Sequence, residues 1–194
     1  MPAIDSDRLA AALSALGDLL AEAGDSFHLV VIGGSGLIAL DVVSRATQDV
    51  DVVALEQRGA LVSADPLPTA VAEAAAVVAR DLGLEANWLD VRSTALLEHG
   101  LPQGFGERLT SHRYGPALRV SFAARIDQIF LKLYAAADRR EPRDFTDLRQ
   151  LGANAAELKA GARWARTHNM PGPFDDELRR TLADLGVEDD GRDA

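Results

Sequence analysis

The sequence predicts an α/β (α+β) fold: a small mixed sheet flanked by helices, with a C-terminal helical extension. Two observations carry this. First, Val30-Val31-Ile32-Gly33-Gly34-Ser35-Gly36-Leu37 reads as a buried strand, a glycine-serine turn and the start of a short helix, and Val50-Asp51-Val52-Val53 reads as a second strand. Second, beyond residue 125 the pattern turns helical, with Ile126, Ile129, Phe130, Leu133 and Ala137 on one stripe.

Taken in order, Asp5 or Ser6 caps a helix over 8–23, whose Leu9, Leu13, Leu16 and Leu20 recur at helical spacing. A mostly apolar strand follows over 27–32, then a short helix over 37–43 and the second strand over 50–55. The loop 59–68 carries two prolines, and Thr69 caps an alanine-rich helix over 70–82. A short strand is predicted at 86–91, a glycine-bearing loop at 99–106 and a hairpin-like segment leading into a strand at 114–120. A strong helix spans 125–140; Pro142 breaks it and 143–151 restarts it. Helices over 155–167 and 175–185 complete the pattern. The expected division is a core at 1–121, a helical part at 122–187 packed on it, and an acidic tail at 188–194.

Composition sets limits. The hydrophobic fraction of 47% suits a folded protein, and the absence of cysteine excludes disulfides, thiolate nucleophiles and cysteine-based zinc sites. The longest apolar stretch, 29–40, is interrupted by glycines and too short to span a bilayer, so no membrane association is expected. No basic region precedes an apolar run at the N-terminus, which predicts a cytoplasmic protein. The net charge of −10 argues against a generally basic nucleic-acid surface. Its distribution is uneven: residues 1–107 carry 5 basic and 16 acidic side chains, residues 108–166 carry 12 and 6, and residues 167–194 carry 3 and 8. The basic segment either faces a phosphate-rich substrate or pairs with the acidic regions around it.

Asp49 and Asp51 lie one residue apart, so on a strand they share a face, as do Arg45 and Thr47 if the strand begins that early. Adjacent carboxylates repel unless a cation neutralises them, and Mg²⁺ takes one or two carboxylates together with phosphate oxygens. A glycine-serine turn beside them has the backbone N–H groups to hold phosphate. A second chemistry competes: Gly34-x-Gly36-x-x-Ala39 between a strand and a helix, with Glu56 at the end of the next strand, also fits a dinucleotide fingerprint. That alternative leaves the alternating acids unexplained. Two exposed acids on a half-buried strand are the bland alternative.

The glycine-serine turn followed by Asp-x-Asp resembles the nucleotidyltransferase superfamily. Gly33-Gly34-Ser35-Gly36-Leu37 with Arg45-x-Thr47-x-Asp49-Val50-Asp51 is similar to its AbiEii-type branch, known as toxins of bacterial toxin–antitoxin and abortive-infection systems. Downstream, Lys132-Leu133-Tyr134-Ala135-Ala136-Ala137-Asp138-Arg139 and Arg143-Asp144-Phe145-Thr146-Asp147-Leu148 resemble that branch's lysine helix and its following Asp-x-x-Asp-Leu helix. The resemblance covers roughly residues 28–150. It implies Mg²⁺-dependent transfer of a nucleoside monophosphate from an NTP to a hydroxyl acceptor, an RNA end or a protein, with a cognate antitoxin as partner. Asp49 and Asp51 would hold Mg²⁺, and Gly34, Ser35, Arg45, Thr47 and Lys132 would bind the nucleotide. Asp49, Asp51, Lys132 and Asp147 would form the catalytic set. A small-molecule (antibiotic) nucleotidyltransferase and a non-catalytic nucleotide- or dinucleotide-binding protein are the other readings.

One departure stands out. Many members of the superfamily place a third carboxylate on a later strand, and Leu118-Arg119-Val120-Ser121 carries none. Asp90 is a substitute whose register the sequence leaves open; otherwise Asp144 or Asp147 takes part, or activity is weak or lost. On sequence physics alone Lys132 reads as a solvated lysine with no buried partner, and Asp144 as a charge favoured by a helix N-terminus. The four histidines show no metal-ligand spacing, and Trp88 and Trp164 read as core.

Overall fold

The computed structural model describes residues 4–43, 45–168 and 172–188. The chain divides into two compact units between Ala124 and Arg125. The fold is mixed α+β, with six strands in one small mixed sheet.

The first unit opens with α1 (Ser6–Glu22), whose first turn is capped by the Asp5 side chain accepting from the Arg8 backbone N–H at 2.9 Å. The predicted leucine stripe Leu9, Leu13, Leu16 and Leu20 is its buried face. Then come β1 (Phe27–Ile32), α2 (Gly33–Ala39), β2 (Val50–Gln57), β3 (Ala60–Val62), α3 (Thr69–Leu82) and β4 (Leu89–Asp90). A 3₁₀ turn (Arg92–Ala95), α4 (Leu96–His99), a second 3₁₀ turn (Gly106–Arg108), β5 (Thr110–Tyr114) and β6 (Leu118–Phe122) complete it. The sheet order is β3-β2-β1-β6-β5, with β4 pairing β2 off this path. α1 packs on α3, β5 and β6, and its Gly17 allows this: a Cβ there would lie 2.0 Å from the Tyr114 carbonyl oxygen.

β1 and β2 are antiparallel, whereas β1 and β6 are parallel. A doubly wound dinucleotide fold needs parallel neighbours at this point, so the topology removes that alternative, and the Glu56 carboxylate meets His28 Nδ1 at 2.8 Å. The β1–β2 ladder shifts register between Val30 and Val31, pairing Val30 with Ala54 but Val31 with Val52. Such a bulge inserts one residue into β2 and reverses its alternation. Asp51, Ala54 and Glu56 therefore share a face with Ile32, Val30 and His28.

Several elements differ from expectation, each for a local reason. The helix expected at 37–43 runs instead over Gly33–Ala39; the glycine-serine segment is its first turn, not a separate loop. Loop 59–68 contains β3, because Arg58 and Gly59 both take positive φ (55° and 83°) and close a two-residue hairpin. The strand at 86–91 shrinks to Leu89–Asp90. β5 lies outside the expected elements: Thr-Ser-His-Arg-Tyr has no apolar face, and it pairs along β6 at the sheet edge.

The second unit is helical: α5 (Arg125–Arg139), α6 (Pro142–Gln150), α7 (Ala155–Arg166) and α8 (Pro173–Asp184). α5 packs against the other three, burying Ile129 and Leu133 completely, worth roughly 1.5–3 kcal/mol each. Pro142 occupies the first turn of α6, where its missing N–H costs nothing. Asn154 and Glu157 form a capping box on α7. Trp164 belongs to an aromatic cluster with Phe130, Tyr134 and His168, at ring separations of 6.1, 6.0 and 4.4 Å. Glu188 is exposed; the acidic stretch 189–194 lies outside the described residues.

Candidate active site

Three carboxylates converge in the first unit. Asp51 sits at the start of β2, opposite Ile32 on one side and Asp90 on the other. Asp49 precedes the strand rather than standing within it. Ligand oxygens of Asp49, Asp51 and Asp90 all lie within 4.8 Å of one another. At that spacing each pair repels by ~1 kcal/mol in bulk water and by ~3 kcal/mol at the effective dielectric of a protein surface. An oxygen-only set of this charge is what a hard divalent cation takes, so the residues present fit Mg²⁺. Asp90, the sequence's candidate for a third acid, falls in this cluster: β4 is parallel to β2, and its register sets Asp90 directly beside Asp51.

Local structure fixes each member. Thr47 is buried, exchanges backbone hydrogen bonds with Ile4 at 2.6 and 2.8 Å, and lies 3.4 Å through its hydroxyl from Asp49 Oδ1. Gly33 takes φ +71°, and a Cβ there would lie 2.1 Å from Asp51 Oδ2. The glycine is thus a condition for the carboxylate's position, as well as for the turn into α2.

Asp90 is 6% exposed and is held by Arg92, which donates its backbone N–H to Oδ1 at 2.9 Å and its Nε to Oδ1 and Oδ2 at 3.0 and 2.7 Å. Arg92 Nη2 also reaches Oδ2. The guanidinium hydrogen bond holds the Asp90 carboxyl below its usual range, against the opposing effect of burial. The same pairing raises Arg92 further, with Asp49 and Asp51 adding to it. The turn bearing Arg92 is pinned by Thr94, whose hydroxyl donates to Val53 O at 2.8 Å and accepts from Ala64 N at 2.9 Å.

The other sequence candidates are distributed as follows. Gly34 and Ser35 lie in the first turn of α2, both buried, with the Ser35 hydroxyl donating to Ile32 O at 3.3 Å. Arg45 lines a cavity of about 420 Å³ with Asp5, Ser6, Asp7, Ile38, Asp41 and Val43, none of them a member of the carboxylate cluster.

Lys132, Asp144 and Asp147 meet in the second unit. Lys132 Nζ lies 2.8 Å from Asp144 Oδ1 and 2.8 Å from Asp147 Oδ2, with side-chain exposures of 9%, 1% and 0%. Arg139 Nε approaches Asp144 Oδ2 at 2.9 Å. The expectation that Lys132 is solvated and leaves no buried partner is therefore wrong. α5 and α6 turn its stem inward, and two buried carboxylates depend on its charge. Burial pushes the Asp144 carboxyl up, but Arg139 and Lys132 together outweigh it and hold it low.

A small mixed sheet with three converging carboxylates beside a glycine-led helix is a nucleotidyltransferase-like arrangement. The chain belongs to the family described as "Nucleotidyltransferase of unknown function (DUF6036)", whose model matches residues 7–154. No curated protein and no solved structure matches it. Two residues of the site were missed or underweighted by sequence reasoning. Asp90 comes from a two-residue strand whose pairing no periodicity marks, and Arg92 follows it in an Asp-x-Arg spacing that signals an ion pair only once the turn is known.

Proposed function

We propose that the protein is a Mg²⁺-dependent nucleotidyltransferase that moves a nucleoside monophosphate from an NTP to a hydroxyl acceptor, releasing pyrophosphate. The observation that carries this reading is the convergence of Asp49, Asp51 and Asp90 in a chain of a nucleotidyltransferase family. These three would hold the metal. When bound, Mg²⁺ would supply charge neutralisation on the reacting phosphates and the leaving pyrophosphate. Thr47 would keep Asp49 oriented, and Gly33 leaves the space in which the Asp51 carboxylate stands. Gly34 and Ser35, at the start of α2, and Arg45 remain proposed nucleotide contacts. Lys132 and Asp147 remain proposed members of the catalytic set on the strength of the family resemblance. Their mutual ion pair already explains their burial. Dependence on NTP fits a cytoplasmic enzyme, and no helix among the described residues is long and apolar enough to cross a membrane.

For the acceptor we favour a polyanion, an RNA end, over a cationic drug. Arg113 and Arg119 stand directly opposite each other on β5 and β6 and line a cavity of about 420 Å³ with His28 and Glu56. Like charges so placed repel, and an anion relieves them. Much of the remaining basic segment is paired internally: Arg125 with Glu157, Arg140 with Glu177 and Asp184, and Arg166 with Asp175. A toxin role with a cognate antitoxin, in the manner of the AbiEii-type branch, is the finer reading, supported by the Lys132–Leu148 resemblance.

The test is incubation with each labelled NTP, Mg²⁺ and total cellular RNA or protein. Label should appear on RNA with the wild type and vanish with Asp49→Asn/Asp51→Asn. Equal labelling by the double variant, or none with any NTP and acceptor, refutes the reading.

A further inference from the structure

We infer that Arg92 guards the carboxylate site: it competes with the metal for Asp90 and passes to the NTP phosphates when metal and nucleotide bind. The inference rests on the nucleotidyltransferase reading and adds a nucleotide-positioning residue to it.

The first argument is occupancy. A carboxylate offers about four lone-pair sites. On Asp90 they meet three N–H groups, all from Arg92: the backbone N–H on Oδ1, the single Nε–H shared between Oδ1 and Oδ2, and Nη2 on Oδ2. A cation that takes both oxygens of Asp90 displaces a side-chain contact, and one that takes a single oxygen still meets the positive guanidinium beside it.

Charge is the second. Three carboxylates within 4.8 Å of one another carry −3, and the guanidinium offsets one unit. A divalent ion and Arg92 together would exactly cancel the cluster, but they compete for the same oxygens. Once the ion holds Asp90, the guanidinium needs a new anion, and the phosphates delivered with the ion are one. Arginine's planar fork suits phosphate oxygens as well as it suits carboxylate.

The third is freedom to move. The Arg92 side chain is 83% exposed while Asp90 is 6% exposed. Its stem is not packed into the core; the tip alone is anchored. The backbone is the fixed part, held through Thr94 on β2. Changing partners therefore requires rotation about side-chain bonds and no refolding of the turn. Only the arginine end is exposed; Asp90 is buried, so the pair separates at low cost only if the incoming cation takes over the carboxylate as Arg92 leaves.

Opposite signs in two binding measurements separate this from a merely structural role. Arg92→Ala should bind Mn²⁺ alone more tightly, by about two- to tenfold, because a competing cation is gone. The same variant should bind ATP, GTP, CTP or UTP with Mg²⁺ about ten- to a hundredfold more weakly, because a charge-assisted phosphate contact is gone. Asp90→Asn should weaken both. Mn²⁺ is read by electron paramagnetic resonance and nucleotide by calorimetry, with circular dichroism to confirm that each variant is folded. If Arg92→Ala weakens both ligands together, the arginine only holds Asp90 in place and the inference falls. It falls equally if neither affinity changes, or if Mn²⁺ tightens while nucleotide binding is untouched. A wild type that binds Mn²⁺ but no NTP overturns the nucleotidyltransferase reading, and the Mn²⁺ arm still decides whether Arg92 competes for the acids.

Discussion

Replacing Lys132 with methionine should destabilise the protein sharply, for reasons unconnected with catalysis. Methionine keeps most of the stem's volume and removes the charge. Asp144 and Asp147, 1% and 0% exposed, then face the interior without the ammonium group that stands 2.8 Å from each. Removing one partner of a buried ion pair costs about 3–5 kcal/mol. Arg139 keeps its hold on Asp144 at 2.9 Å, which places the expected loss toward the lower end, about 3–4 kcal/mol. For a chain of this length that lowers Tm by roughly 6–16 °C. The assay is urea and thermal denaturation at pH 7 of the wild type, Lys132→Met and the triple variant Lys132→Met/Asp144→Asn/Asp147→Asn. The triple variant buries no unpaired charge and should recover at least half of the loss. A Lys132→Met loss under ~1 kcal/mol, or a triple variant less stable than the single, would refute the argument. Acid titration gives a further check. Asp144 has its folded pKa lowered, so its contribution is complete above the ordinary aspartate value of about 3.9 and is lost as pH falls through the lower folded value. An inactive Lys132→Ala protein would therefore say nothing about catalysis until its fold had been checked.

Three other outcomes are expected. Gly33→Ala should cost about 1–3 kcal/mol, since its φ of +71° is strained for alanine and the new Cβ meets Asp51 Oδ2 at 2.1 Å; it should also weaken Mn²⁺ binding, and unchanged stability and affinity would contradict the structure. Asp90→Asn should weaken Mn²⁺ binding, and an unchanged affinity would remove Asp90 from the ligand set. Stability should fall between the ordinary histidine pKa of about 6.5 and the lower folded value of His28, which burial depresses, followed by the opposing pull of Glu56 and the repulsion of Arg119. His28→Gln should flatten that part of the pH–stability curve.

The fold was legible wherever one face of an element is apolar. The leucine stripe of α1, the valine-rich β1 and β2 and the stripe of α5 each commit a face to burial, and all four elements lie close to where periodicity set them. β5 shows the limit. Its five residues, Thr110 to Tyr114, expose most of their side chains, so hydrogen bonding along β6 is what makes them a strand, and that pairing is not written in their own composition. β4 is a shorter case of the same kind: two residues held by the partner strand cannot show a period.

The site divides along the same line. Asp49 and Asp51 were visible because acids interrupt a valine run, an anomaly local to the sequence. Asp90 is no anomaly in Trp-Leu-Asp-Val-Arg; only the parallel β2–β4 register makes it a neighbour of Asp51. Lys132 misled in the opposite direction. Its helical position, beside the apolar stripe, matches that of a solvated lysine, and what buries it is a second helix bringing Asp147 and Asp144, the latter read from the sequence as a helix N-terminal charge. A motif can show which residues are unusual for their element. Whether a charge is spent on structure or kept for a ligand depends on what the next element brings to it, and here the same question separates two cations. Lys132 is enclosed by two buried carboxylates, whereas Arg92 touches its carboxylate from the solvent side.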